Sequence, residues 1–211
     1  MREVIPLRER RLDIAFLVFF LINLPFIVYF VDFEQIAIPD YQAFLANKIY
    51  PPWPPAWAVN MVHWWGEKFD PLLLARPPFW KVTIWVDALY FGPFYAFAIY
   101  AYARGREWIR IPSIIYGSFL IVIICCIMSE EYWGQWPTKN LFVMTMANLP
   151  WAVFPVLILL RNLRPHPFTR PVSPLAVAPA APAAPATPAP AASAPAASAP
   201  GGGSPASAAT P

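Results

Sequence analysis

The sequence is short of most of the residue types on which soluble chemistry relies. Only 13% of its 211 residues are charged, against about 25% in an average soluble domain. It has two cysteines and two histidines. Cys125 and Cys126 are adjacent, so they report neither a disulfide framework nor a metal pair, and His63 and His166 form no cluster. No metal and no cofactor is expected. The eight glycines make no phosphate-cradling loop, and there is no serine elbow and no CxxC pair. A net charge of +3 gives no electrostatic footprint for a nucleic acid.

Apolar side chains are what the sequence has in excess. They make up 58% of the chain, and the C-terminal segment supplies little beyond alanine to that total. Four runs, 12–31, 82–103, 111–128 and 141–160, have the length needed to cross a hydrocarbon core, roughly 17–25 residues. The first is interrupted by Asp13, Asn23 and Pro25, the second by the single charge of Asp87, and the last two carry none. Buried helices of a soluble bundle keep a polar stripe, and these runs have no such stripe. The expected fold class is an all-α membrane protein, a four-transmembrane-helix bundle. The first run exceeds the core of a signal peptide, about 7–15 residues, and no Ala-x-Ala-like site follows it, so it is expected to be retained.

Charge placement predicts orientation. Arg2, Arg8, Arg10 and Arg11 precede the first run, Arg104, Arg106 and Arg110 join the second to the third, and Arg161, Arg164 and Arg170 follow the fourth. All fall on one side, which the positive-inside rule assigns to the cytoplasm together with both termini. The other side holds Lys48, Lys68, Arg76, Lys81 and Lys139 among acids such as Glu34, Asp70, Glu130 and Glu131.

The connection 32–81 is too long for an idle loop. It contains a proline stretch, Tyr50-Pro-Pro-Trp-Pro-Pro, followed by Trp57, Met61, Trp64, Trp65 and Phe69 at mostly helical spacing. This segment reads as a lumenal helix lying at the membrane interface, or as a cap closing a cavity between the spans. One helix is able to do both. Residues 166–211 are rich in proline, alanine and serine, lack the bulk needed to offset ordering entropy, and are expected to be a disordered cytoplasmic tail. The domain layout is then a cytoplasmic N-terminus over 1–10, a helical membrane domain over 11–165, and that tail.

The polar exceptions within the spans carry the functional reading. A carboxylate at mid-membrane costs about 2.5–3.5 kcal/mol on insertion scales and usually marks a site, which singles out Asp87. Asp32 closes the first run and by position alone reads as a solvated boundary charge. Pro25, Pro93, Pro150 and Pro155 free backbone carbonyls inside the spans. Asn148 and Trp151, one turn apart beside Pro150, face an internal cavity together, or Asn148 bonds a neighbouring helix. Cys125 and Cys126 read as apolar packing within the third span.

Several segments resemble the EXPERA-domain membrane proteins, and among them the sigma-2 receptor branch. They are Val31-Asp-Phe-Glu-Gln, Tyr50-Pro, Glu67-Lys-Phe-Asp-Pro-Leu-Leu73, Pro77-Pro-Phe-Trp-Lys81 and Trp108-Ile-Arg-Ile-Pro-Ser-Ile-Ile-Tyr116. The resemblance covers about residues 10–165. It implies an EXPERA fold of four helices around a pocket open toward the membrane, which binds sterols and cationic amphiphilic amines. Asp32 matches the acid that pairs with a ligand ammonium, and Asp70 the acid that hydrogen-bonds and orients the first. Asp87 falls where the branch has an acid and Trp151 where it has a ligand-contacting aromatic. Residence in the endoplasmic reticulum, a role in cholesterol homeostasis, homodimers and contact with a lysosomal cholesterol transporter are further implications. The related sterol isomerases, the emopamil-binding proteins, resemble this chain in Asn148-x-x-Trp151. Where they carry a second-span histidine this chain has Thr83, and the run 111–128 offers no acid to match their third-span glutamate. The expectation is a binding protein, not an enzyme.

Overall fold

Prolines, asparagines and aspartates punctuate the chain, and most of its described helices start where they fall. The computed structural model describes residues 1–172, arranged as β1 (Arg2–Val4), α1 (Arg11–Ala37), α2 (Tyr41–Asn47), α3 (Ala56–Lys68), α4 (Pro71–Ala75), α5 (Pro78–Arg104), α6 (Glu107–Trp133), α7 (Leu141–Asn162) and β2 (Thr169–Pro171). Pro78 stands in the first turn of α5, where its missing N–H costs nothing. Asp40, Asp70 and Asn140 cap α2, α4 and α7, each side-chain oxygen accepting from a backbone N–H two or three residues on. Gly105 ends α5 at φ +63, in the left-handed region that glycine enters without strain.

Among the described residues, α1, α5, α6 and α7 are long and apolar enough to cross a membrane. Between 17% and 33% of each apolar stretch is buried inside the protein, so most of its surface is left to lipid. Leu21, Leu89, Phe97, Val122 and Phe142 stand on that outer surface. Such a surface in water would be one continuous sticky patch. The molecule is a four-helix, multi-pass membrane protein, as its composition predicted. The helices outrun the apolar segments. α5 starts four residues before position 82 and α6 continues past 128 to Trp133. Asp87 is therefore about two and a half turns into its helix rather than one and a half.

α1 packs on α5, and α6 lies along α7. Phe16, Phe20, Phe91, Tyr95, Tyr102 and Tyr116 fill the centre, with Phe94 stacked on Tyr116 at 4.3 Å. α6 and α7 approach closely at Gly117, where a Cβ would stand 2.9 Å from the carbonyl oxygen of Pro155. Cys125 and Cys126 are exposed on the outer surface of α6, not packed within it as expected. The inner face of that helix is already occupied by Leu120, Ile124 and Glu131.

One end of the bundle gathers both ends of the described segment, residues 1–13 and 161–172. Asp13, fully buried, takes Arg10 at 2.7 Å and Arg161 at 3.0 Å, and the ring of buried Phe168 lies 5.4 and 5.5 Å from the two guanidinium carbons. Arg10 also donates to the carbonyl of Tyr102. Over this triad β1 pairs antiparallel with β2, Arg2 facing Pro171 and Val4 facing Thr169. Two arginines read from the sequence as solvated orientation markers are thus core ion-pair partners. The segment 166–172, assigned to a disordered tail, instead folds back, because Phe168 finds a buried seat and Thr169 a hydrogen bond to Glu107. The rest of the expected tail lies outside the described residues.

The opposite end carries the connection 38–77, whose helices cap the bundle. Glu34, at the end of α1, accepts two bonds at 2.9 Å from Nη2 of Arg76, one at 2.6 Å from Gln35, and lies 2.8 Å from Nε2 of His63 on α3. This buried network ties the cap to α1.

Candidate functional site

A cavity of about 460 Å³ lies between the long helices beneath the cap. Its walls are apolar and aromatic: Ile27 and Val31 from α1, Trp80 and Ile84 from α5, Ile124 and Ile127 from α6, Met144 and Trp151 from α7. Met61, Val62 and Trp65 of α3 close one end, while Trp57 and Trp64 of the same helix remain half exposed. The amphipathic helix read from the sequence is therefore a cap over a cavity.

Four carboxylates face this apolar space: Asp32, Asp70, Asp87 and Glu131. No lysine, arginine or histidine lines it. All five residues singled out from the sequence, Asp32, Asp70, Asp87, Asn148 and Trp151, are on its wall. Asp32 is buried, against the boundary position that its place in the run suggested. Two local irregularities aim the first acids inward. The helix widens to a π-helix over Asn23–Asp32, around Pro25, and again over Asp87–Phe91. Asp32 is the last residue of the first widened segment and Asp87 the first of the second. Pro25 lacks an N–H, so the regular ladder cannot run through it. Widened turns of this kind recur at functional sites because they re-aim side chains.

The acids differ in how they are satisfied. Oδ2 of Asp32 and Oδ1 of Asp87 are buried and have no hydrogen-bond partner among the described residues. Asp70 is spoken for: its Oδ1 accepts from the N–H of Leu73 at 3.1 Å, as the cap of α4. It makes no hydrogen bond to Asp32 among the described residues, so the orienting bond that the family resemblance implied is not formed. Burial pushes the Asp70 carboxyl up to about 6, while the N–H groups of Leu73 and Leu72 pull it down by favouring the anion. Asn148 donates from Nδ2 to Oε2 of Glu131 at 2.9 Å. Trp151 is held from behind, its Nε1–H donating to Oδ1 of Asn23 at 2.8 Å, and Asn23 in turn donates to the carbonyl of Phe19. Thr83 turns its hydroxyl to the carbonyl of Trp80.

Glu131 is the residue that sequence reasoning missed. The third apolar run ends at 128 and leaves Glu131 among the charges of a connection, so that the run offers no acid. α6 in fact continues through Glu131, which is buried and faces the cavity. Helical spacing carried a signal: Leu120, Ile124, Ile127 and Glu131 fall on one face.

Fold and site define a class, a four-helix membrane protein with a partly open, acid-lined apolar cavity under a helical cap. The family model described as EBP: EXPERA (EXPanded EBP superfamily) matches residues 57–162, just over half of the chain. The chain belongs to that family. The match contains Asp70, Asp87, Glu131, Asn148 and Trp151, and starts after Asp32. The chain is similar to sigma intracellular receptor 2 of Xenopus tropicalis, 29% identical over 154 residues, which is 66% of this chain and 88% of that protein. The Homo sapiens protein of the same name is 29% identical over 152 residues, 65% of this chain and 84% of that one. The Macaca fascicularis protein matches to the same extent.

Proposed function

We propose that the chain is a ligand-binding membrane protein of the sigma-2 receptor type, which takes cationic amphiphiles and sterol-like lipids into the cavity beneath its cap. The observation that supports this reading is the charge of the cavity wall, which has four carboxylates and no base in an otherwise apolar lining. Leaving a carboxylate buried and unpaired is costly, and an ammonium group entering with an apolar body removes that cost while burying its own hydrocarbon. Asp32 and Asp87 supply the unpartnered oxygens, and Asp70, Asn148 and Trp151 are further parts of the wall. The relatives' name, an intracellular receptor, fits reception of a small molecule at an internal membrane, and the endoplasmic reticulum is the site we propose. Both termini would face the cytoplasm, since eight exposed or half-exposed arginines remain at their end of the bundle after Arg10 and Arg161 are set aside. Cholesterol homeostasis, a homodimer and contact with a lysosomal cholesterol transporter are carried here as parts of the same proposal, on the family resemblance alone.

The test is equilibrium binding of a labelled cationic amphiphile to purified protein in lipid discs. Wild type should bind saturably and Asp32→Asn at least about tenfold more weakly, the loss expected when a buried ion pair loses one charge. Equal binding by both proteins would sink the reading.

A second reading, sterol isomerisation, has one observation in its favour. Glu131 gives the third long helix an acid facing the cavity, beside Asn148 and Trp151. Double-bond migration needs one group to deliver a proton and another to remove one. The histidine position is still Thr83, and His63 lies off the cavity against Glu34. We therefore propose binding rather than catalysis. Incubation with a sterol bearing the ring alkene that such isomerases shift, followed by product analysis, checks it: no conversion is expected.

A further inference from the structure

We propose that the cavity accepts an amphiphile with two ammonium groups, the first held at Asp32 and Asp87 and the second at Glu131 and Asn148. The inference rests on the binding reading above and adds a second station to it. The two stations are built by different pairs of helices. Asp32 and Asp87 come from α1 and α5, whose widened segments touch each other, whereas Glu131 and Asn148 come from α6 and α7, which lie side by side. They stand on separate walls of one cavity, with apolar side chains such as Ile124 and Met144 in its lining.

The second station is equipped for a donor. Glu131 is 1% exposed, and Asn148 satisfies only its Oε2. The other carboxylate oxygen has no hydrogen-bond partner among the described residues, and by donating its amide to Glu131, Asn148 leaves its carbonyl oxygen to accept. An ammonium has three donors and no acceptor, so these two acceptors take two of its donors. The first station has its own unpartnered oxygens on Asp32 and Asp87. A monoamine, wherever it sits, leaves one of these buried acids without a cation, because the wall offers none. A hydroxyl at Glu131 would supply a hydrogen bond but no charge. A diamine with an apolar body fills both stations and leaves no buried acceptor idle.

The experiment compares dodecylamine with the dodecyl diamine that adds one aminopropyl arm, on full-length protein in lipid discs with empty discs as blank. Both amines should bind wild type, the diamine about tenfold tighter, the gain expected of one additional enclosed ion pair. Glu131→Gln should abolish that preference, and Asp32→Asn should weaken both amines. If Glu131→Gln folds poorly, Glu131→Leu removes the buried charge with its desolvation cost and serves in its place. A diamine no tighter than the monoamine, or a preference that survives both substitutions, overturns the second station and leaves the binding reading intact. A wild-type protein that takes up neither amine overturns both.

Discussion

Asp70 does two jobs that pull its ionisation in opposite directions. As a helix cap it is favoured as an anion by the N–H of Leu73, and as a cavity-wall residue it is favoured neutral by burial, which dominates and raises it to about 6. The sign of its pH effect follows. Below about pH 4 the carboxyl is protonated in folded and unfolded chains alike. Between about pH 4 and pH 6 only the folded chain keeps the proton, so stability falls as pH rises through that window, by at most about 3 kcal/mol. Asparagine caps a helix as well as aspartate does and cannot titrate. Thermal unfolding scans across that window should show wild type losing stability relative to Asp70→Asn as pH rises. Parallel curves would mean that the carboxyl is ordinarily hydrated. At the same scale, the sequence could name Asp32, Asp70, Asp87, Asn148 and Trp151, but not how each is satisfied. Residue type and spacing identify a costly carboxylate. They do not say that Asp70 is spent on Leu73, nor that Asp32 is left with a free oxygen, because those depend on neighbours distant in the chain.

The helices were legible as elements because a membrane demands length and apolarity, and both can be read residue by residue. Their ends were less so. Hydropathy marks where a helix leaves hydrocarbon, not where its hydrogen bonds stop, and the turn of α6 after Met128 is polar yet helical. That mismatch hid Glu131. The widened turns of α1 and α5 were equally hidden, since Pro25 announces a break but not its form. Packing between elements depends on small residues at chosen points. At Gly117 any side chain meets the carbonyl oxygen of Pro155 in α7, and neither backbone has a flexible end to move aside. Gly117→Val should therefore push α6 from α7 and cost about 1–3 kcal/mol, the usual penalty for overpacking. Denaturant-monitored unfolding in detergent checks this, and a stability equal to wild type would show that the two helices can part without loss.

At the scale of the whole molecule the polar residues divide into two structural knots and one cavity. Glu34, Arg76 and His63 hold the cap, and Asp13, Arg10 and Arg161 hold the end where the termini meet. In the sequence the charged members of both knots read as boundary charges or interruptions, because an ion pair between residues 13 and 161 leaves no local trace. Removing the shared acid leaves two neighbouring arginines with no counter-charge, held only by backbone carbonyls. Asp13→Ala should lose about 3–5 kcal/mol, measurable as a fall in melting temperature, whereas substitution of the exposed Arg8 should be neutral. Similar melting of the two variants would mean that water reaches the knot.

The clasp of β1 and β2 has a mechanical corollary. Its strands run antiparallel, and the N–H of Val172 meets the carbonyl of Met1, so both chain ends leave from the same edge of the ladder. Tension applied between the N-terminus and the C-terminal segment would open those bonds one after another, as a zipper opens, instead of loading them together in shear. The strands would peel at low force, and the pull would then reach the seat of Phe168 and the ion pairs of Asp13 beneath it.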